Sequence, residues 1–166
     1  ADCAVIPEPN ENQLADLAYD TAINYNILTG KIPKVAFLSF STNASAQHYR
    51  VSKVQKAVNI FHKKYPEILH ETSEVQFDSA ICSDVAIKKY PKSSLKGEAN
   101  VLIYPNLDAG NIAYKITERI GGYKAIGPLL QGFDKPIHDL SRGCKVEDII
   151  ETCLVASYRE VVNANV

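Results

Sequence analysis

The sequence predicts an α/β domain built on a mainly parallel sheet with helices on both faces. Two observations carry that prediction. Short runs rich in β-branched residues alternate with longer segments of helical period, which is the pattern of βαβ units. The apolar residues of those runs are also consecutive, as in "KVAFLSFS" (34–41) and "NVLIY" (100–104). A strand with one wet face alternates polar and apolar residues, whereas a strand covered on both faces has no polar side to show. At 166 residues, 46% hydrophobic and 22% charged, the chain suffices for one continuous core.

The elements follow in order. "DCAVI" (2–6) reads as a first strand closed by Pro7 and Pro9. Asn10 then caps a helix, with Gln13 as its reciprocal partner, and Leu14, Leu17, Ala18, Thr21 and Ala22 form the inward face as far as Gly30. Strand 34–41 is followed by a loop of small polar residues. From Arg50 to Tyr65 the spacing of Val51, Val54, Val58 and Phe61 predicts an amphipathic helix, and Pro66 lies just beyond it. "LHETSEVQF" (69–77) reads as a third strand and "DSAICSDVAIKKY" (78–90) as a helix stopped by Pro91. Strand 100–104 leads to a helix over "AGNIAYKITERI" (109–120), capped by Asp108 and closed by Gly121 and Gly122. "AIGPLLQG" (125–132) and "KPIHDLS" (135–141) read as two final short strands, and Val146 to Val162 as a last helix.

Charge excludes some partners. With 18 basic against 19 acidic residues there is no electrostatic case for nucleic acid or an anionic membrane. The apolar runs are too short to cross a bilayer, and no basic-then-apolar leader opens the chain. Cys3, Cys82, Cys144 and Cys153 are widely spaced, without a CxxC pair or a nearby His at ligand spacing, so neither a disulfide framework nor a zinc site is expected. A cytoplasmic location is the corresponding expectation. The chain has no methionine and begins Ala-Asp-Cys, which suggests a piece of a longer product.

In open parallel sheets ligands bind beyond the carboxyl ends of strands, here the loops after Ser41, Tyr104, Gln131 and Leu140. "SRGCKVED" (141–148) follows one of these ends. Glu147 and Asp148 suit the first turn of a helix, where negative charge is favoured, so the stretch reads as an ordinary helix start. Arg142 is out of place there unless an anion is to be held, and with Ser141 as donor and Asp148 as base the same stretch reads as a catalytic loop. "SFSTNASA" (39–46) has no glycine, so it is neither a phosphate loop nor a dinucleotide fingerprint; it reads as a plain connection or as a loop with amides free for an anion. Asn106 and Asn111 are further candidates for ligand contact at a strand end. His48, His62, His70 and His138 are scattered with no triad spacing, and Cys144 beside Arg142 reads as a bystander.

"LSRGCKVEDI", "ANVLIYPNLDAGNIAYKITERIGG", "AIGPLLQGFDKPIHDLSRG", "ADCAVIPEPNENQLADLA" and "VAFLSFSTNASA" together resemble the carboxyl-terminal half of phosphate acetyltransferase (phosphotransacetylase). The resemblance implies reversible acetyl transfer between acetyl-CoA and phosphate, giving acetyl phosphate and coenzyme A. It implies the second domain of a two-domain enzyme related in fold to isocitrate and isopropylmalate dehydrogenases, with the site in the interdomain cleft, no metal, and no cofactor beyond coenzyme A as substrate. By matching positions, Asp148 is the base for the coenzyme A thiol, Ser141 bonds its sulfur, and Arg142 binds phosphate and the charge of the tetrahedral intermediate; Ser41, Thr42 and Asn111 fall at substrate-binding positions. The family's loop after the second strand usually carries a glycine where this chain has Ala44.

The resemblance further implies a homodimer through this domain, a division into residues 1–138 and an active-site loop with terminal helix over 139–166, and an absent first domain on which that helix packs. Part of the helix's apolar face, including Ile149, Ile150 and Val161, is then expected to lack its cover, and the isolated chain to be weakly active or inactive. Phosphate butyryltransferase, and a non-catalytic acetyl-CoA-binding regulatory domain of the kind found in hybrid malic enzymes, are the alternatives.

Overall fold

The computed structural model describes residues 1–164. Its elements run α1 (Glu11–Thr29), β1 (Val35–Phe37), α2 (Tyr49–Lys64), α3 (Phe77–Ile81), α4 (Ser83–Lys89), β2 (Val101–Ile103), α5 (Leu107–Arg119) and α6 (Val146–Ala164). The two strands pair in parallel, Val35 opposite Val101 and Phe37 opposite Ile103. Both faces are covered, which is why the strand sequences are continuously apolar. Val35 and Phe37 pack with Leu14, Ala18 and Ala22 of α1 and Val54, Val58 and Phe61 of α2, while Ala36 and Leu38 point the other way onto Val75, Ala80 and Tyr90.

The reciprocal cap of α1 is present, with the Asn10 side chain accepting from the Gln13 amide and Gln13 from the Asn10 amide, both at 2.9 Å. Gly30 ends α1 in the left-handed conformation at φ 67°. Helix α2 buries Val51, Val54, Val58 and Phe61 as its spacing predicts, and Phe61 meets Phe37 edge-on at 5.4 Å. Its cap is His48, whose Nδ1 accepts from the Arg50 amide.

Elsewhere the structure corrects the sequence reading. Residues 2–6 are a turn and not a strand, because the Asp2 carboxylate accepts the amides of Ala4, Val5 and Ile6 at 2.7, 3.0 and 2.7 Å and winds the chain around itself. Only Ala1 continues the ladder, its carbonyl accepting from the Tyr104 amide. The third strand shrinks to two parallel bridges, Val35 with His70 and Leu38 with Val75. Three steps along β1 (35 to 38) are matched there by five along its partner (70 to 75), so the partner bulges and turns Glu71 and Glu74 inward. Helix 78–90 is divided at Cys82, whose backbone is extended. Asn106, not Asp108, caps α5, accepting from the Ala109 amide at 3.0 Å, and Asp108 lies in the first turn.

The two final strands reduce to one antiparallel bridge, Leu129 with His138, in an otherwise irregular arch. Pro128 and Pro136 remove ladder donors, and Gly127 and Gly132 adopt positive φ, so no longer pairing is available. Gln131 pins the arch to α1 by donating to Thr21 Oγ1 at 2.7 Å. Helix α6 begins at Val146 as expected. It is held to the arch by polar grips: Lys124 with Glu151, Lys135 with Glu160 at 2.6 Å, and Arg159 donating to the Phe133 carbonyl at 3.2 Å. Its Ile149, Ile150, Leu154 and Val161 side chains are exposed. Among the described residues no helix is long and apolar enough to cross a membrane.

Candidate active site

The loop 141–145 and the first turn of α6 are built by their own polar groups. The Cys144 amide donates to the Ser141 carbonyl at 3.0 Å, closing a turn, and the Gly143 amide reaches Ser141 Oγ at 3.3 Å. That leaves the Ser141 hydroxyl proton free to be given elsewhere, because a hydroxyl that accepts one bond still has its own donor. The exposed Arg142 side chain makes no ion pair among the described residues. Asp148 Oδ2 accepts the Lys145 amide at 2.7 Å, the back-bond of a carboxylate in a helix's first turn. The helix-start reading of the stretch is therefore seen directly: one carboxylate oxygen organises the first turn, and Oδ1 has no partner among the described residues.

Asp148 lines a shallow cleft of about 340 Å³ between the end of α5, the start of the arch and the start of α6. Arg119, Lys124 and Lys145 supply its cations, with Glu118 and Glu147 as further acids and Gly143 opening the loop side. The Lys124 ammonium, hydrogen-bonded to Glu151 and near Asp148 and Glu147, is held above the ordinary lysine range. None of these three cations was singled out in the sequence, since nothing in their spacing marks residues 119, 124 and 145 as neighbours. Ser141 and Arg142 flank the cleft residues in the chain without lining the cleft.

The remaining candidates lie on other loops at the carboxyl ends of the strands. Ser41 and Thr42 follow β1 and are buried with their side chains turned inward: Ser41 Oγ donates to Glu74 at 2.7 Å, and Thr42 Oγ1 accepts the Gln76 amide at 2.9 Å. Asn111, in the first turns of α5, donates to the Cys3 carbonyl at 3.0 Å. None of the three lines the Asp148 cleft. The loop after β1 carries two residues at positive φ, Asn43 and Ala44 at 49° and 62°, a conformation that glycine adopts with less strain than alanine. Among the described residues no group of three or more His, Cys, Asp or Glu side chains is arranged to hold a metal ion.

Comparison with known proteins places this arrangement in context. The chain is 51% identical over 150 residues to a phosphate acetyltransferase of Borreliella burgdorferi, covering 90% of this chain and 42% of that protein. It is 50% identical to the phosphate acetyltransferase of Clostridium acetobutylicum, covering 93% and 46%. Among solved structures, a phosphotransacetylase from Streptococcus pyogenes superposes with a TM-score of 0.91 at 40% identity, covering 97% of this chain and 48% of that one. The EutD phosphotransacetylase from Staphylococcus aureus gives 0.90 at 45%, covering 96% and 49%. The chain thus spans about half the length of the relatives it matches. The family model described as phosphate acetyl/butaryl transferase matches residues 1–157, and the chain belongs to that family.

Proposed function

We propose that this chain is the thiol-activating half of a phosphate acetyltransferase, an acyltransferase exchanging an acetyl group between coenzyme A and phosphate. The observation that carries the reading is Asp148: one carboxylate oxygen is fixed by the Lys145 amide, and the residue lines a cleft with three cations beside the Ser141–Arg142 loop. A thiol with pKa near 8.5 is only a few per cent ionised at neutral pH, so a base held in place raises the thiolate fraction at the moment of attack. Asp148 takes the thiol proton, the sulfur attacks the acetyl carbonyl of acetyl phosphate, and the C–O bond to phosphate breaks. Ser141 donates to the sulfur, and Arg142 stabilises the oxyanion and the departing phosphate. Ser41, Thr42 and Asn111 serve substrate binding through the loops they build at the strand ends. Coenzyme A acts as substrate; no resident metal or cofactor has a part in this scheme.

The same reading makes residues 1–138 the body of a second domain, in a fold related to isocitrate and isopropylmalate dehydrogenases, and 139–166 an active-site loop and helix. The half of the relatives' length that this chain does not match would supply a first domain, closing the cleft and covering Ile149, Ile150 and Leu154 of α6. A homodimer through this domain and a cytoplasmic location complete the proposal, and the isolated chain is expected to be weakly active or inactive. The test is thioester formation from acetyl phosphate and coenzyme A by the gene product at the length in which it is made, beside Asp148→Asn. A fall of about 100-fold or more in the variant supports the assignment; equal activity overturns it, and an inactive parent that still binds acetyl-CoA favours a regulatory module.

A further inference from the structure

Two glutamates of the bulged segment, Glu71 and Glu74, are 0% exposed. A carboxylate persists in such a place only when its oxygens are met by donors, so each marks something it holds together. Glu71 accepts from Ser93 Oγ, from the Ser94 amide and hydroxyl and from the Leu95 amide, and so ties down the turn before β2, at the amino end of the sheet. Glu74 does the corresponding work at the carboxyl end. It accepts from Ser41 Oγ at 2.7 Å, the Ala44 amide at 2.8 Å and Ser73 Oγ at 2.7 Å, while its own carbonyl accepts the Asn43 amide at 3.0 Å. Burial alone would raise its pKa, but these bonds and one from Gln55 outweigh it and keep the carboxyl below the usual range.

The loop 41–46 is therefore moulded around a buried anion. Ser41 Oγ is also the acceptor for the Ala46 amide at 3.2 Å, and the Thr42 amide donates to Ser45 Oγ at 3.0 Å, so the loop's donors are spent inward. Outward it presents the exposed Asn43 and Ala44, with the Phe40 ring edge-on to His48 at 5.7 Å. A surface with an amide, small apolar groups and an aromatic ring, backed by a negative charge, suits a neutral amide-bearing chain better than it suits phosphate. We propose that Glu74 is a positioning residue that shapes loop 41–46 to receive the pantetheine arm of coenzyme A. The proposal rests on the transferase reading given above.

Glu71 supplies the internal control, since it is an equally buried carboxylate at the opposite end of the sheet. Steady-state kinetics with coenzyme A and acetyl phosphate, together with thermal melts, are compared for the parent gene product and for Glu74→Gln, Ser73→Ala and Glu71→Gln. Glu74→Gln should raise KM for coenzyme A about tenfold while kcat and KM for acetyl phosphate stay within about twofold, the signature of lost binding that is uniform along the reaction. Ser73→Ala, which only loosens the carboxylate, should shift the same KM in the same direction by less. Glu71→Gln should lower Tm and leave both KM values alone. A Glu74→Gln protein that loses Tm like Glu71→Gln with an unchanged KM for coenzyme A overturns the positioning role alone, and a rise in KM for acetyl phosphate instead overturns the pantetheine assignment. Should Glu74→Gln not fold, an unchanged KM for coenzyme A in Ser73→Ala overturns the proposal. A parent that makes no thioester overturns the transferase reading, and this proposal with it.

Discussion

His62 Nδ1 lies 3.1 Å from His70 Nε2, and the other nitrogen of His70 lies 2.6 Å from the Ile68 carbonyl. That carbonyl can only accept, so Nδ1 of His70 carries the proton and Nε2 of the neutral ring accepts from His62. Burial depresses the His70 pKa; the Ile68 carbonyl opposes this, and charge on His62 adds to the depression.

A pH dependence of stability follows. The folded chain binds the His70 proton less readily than the unfolded chain, whose histidines titrate near 6.5, so stability is full above that value and falls as pH drops through it. Urea midpoints should decline between about pH 7.5 and 5, and His70→Asn should flatten that decline. An unchanged slope in the variant would remove His70 as its source.

Ala44 sits at φ 62°, where its Cβ is crowded. Ala44→Gly relieves that crowding and loses some unfolded-state entropy in exchange, for a net gain of about 1 kcal/mol or less. The melting temperature should rise by roughly 2 °C. A fall would mean that the methyl group packs against something the relief does not repay.

Gly110 is a helical glycine that must remain one. A Cβ there would lie 2.0 Å from the Asp2 carbonyl oxygen, so Gly110→Ala drives the amino-terminal turn away from α5 in spite of alanine's better helix propensity. The cost should be about 2 kcal/mol in a denaturant titration. Hydrogen exchange at the Tyr104 amide, which donates to the Ala1 carbonyl, should quicken in the same variant.

Arg142→Ala tests the anion-handling role separately from the base. If Arg142 meets phosphate and oxyanion, kcat/KM for acetyl phosphate should fall by about 100-fold while the fold, read by circular dichroism, is unchanged, because the side chain is exposed and makes no ion pair among the described residues. Unaltered kinetics would take Arg142 out of the site.

Much of this was legible in the sequence where one local rule decides. Asn10 with Gln13, and the 51, 54, 58, 61 spacing of α2, specify their elements without help from distant residues, and the consecutive apolar residues around Val35 and Val101 announced a sheet covered on both faces. What stayed hidden depended on partners remote in the chain. Asp2 turns residues 2–6 away from β structure with three hydrogen bonds that no propensity encodes. The bulge at 71–74 exists because two carboxylates find donors in loops some 20 to 30 residues away. In the site, the 141–148 junction was readable because its groups are consecutive, whereas Arg119 and Lys124 join it only through the path of the arch.

The buried apolar residues of both clusters, from Leu14 to Ile103, all precede the arch. Helix α6, with Asp148 at its start, is instead fastened by salt bridges and carbonyl contacts, and its few buried side chains include the polar Thr152 and Arg159. The apolar core thus lies in the part of the chain before the arch, and the terminal helix is held to it largely by polar contacts. Local opening should therefore begin at α6, so that amide exchange around Asp148 outpaces exchange in β1 and β2.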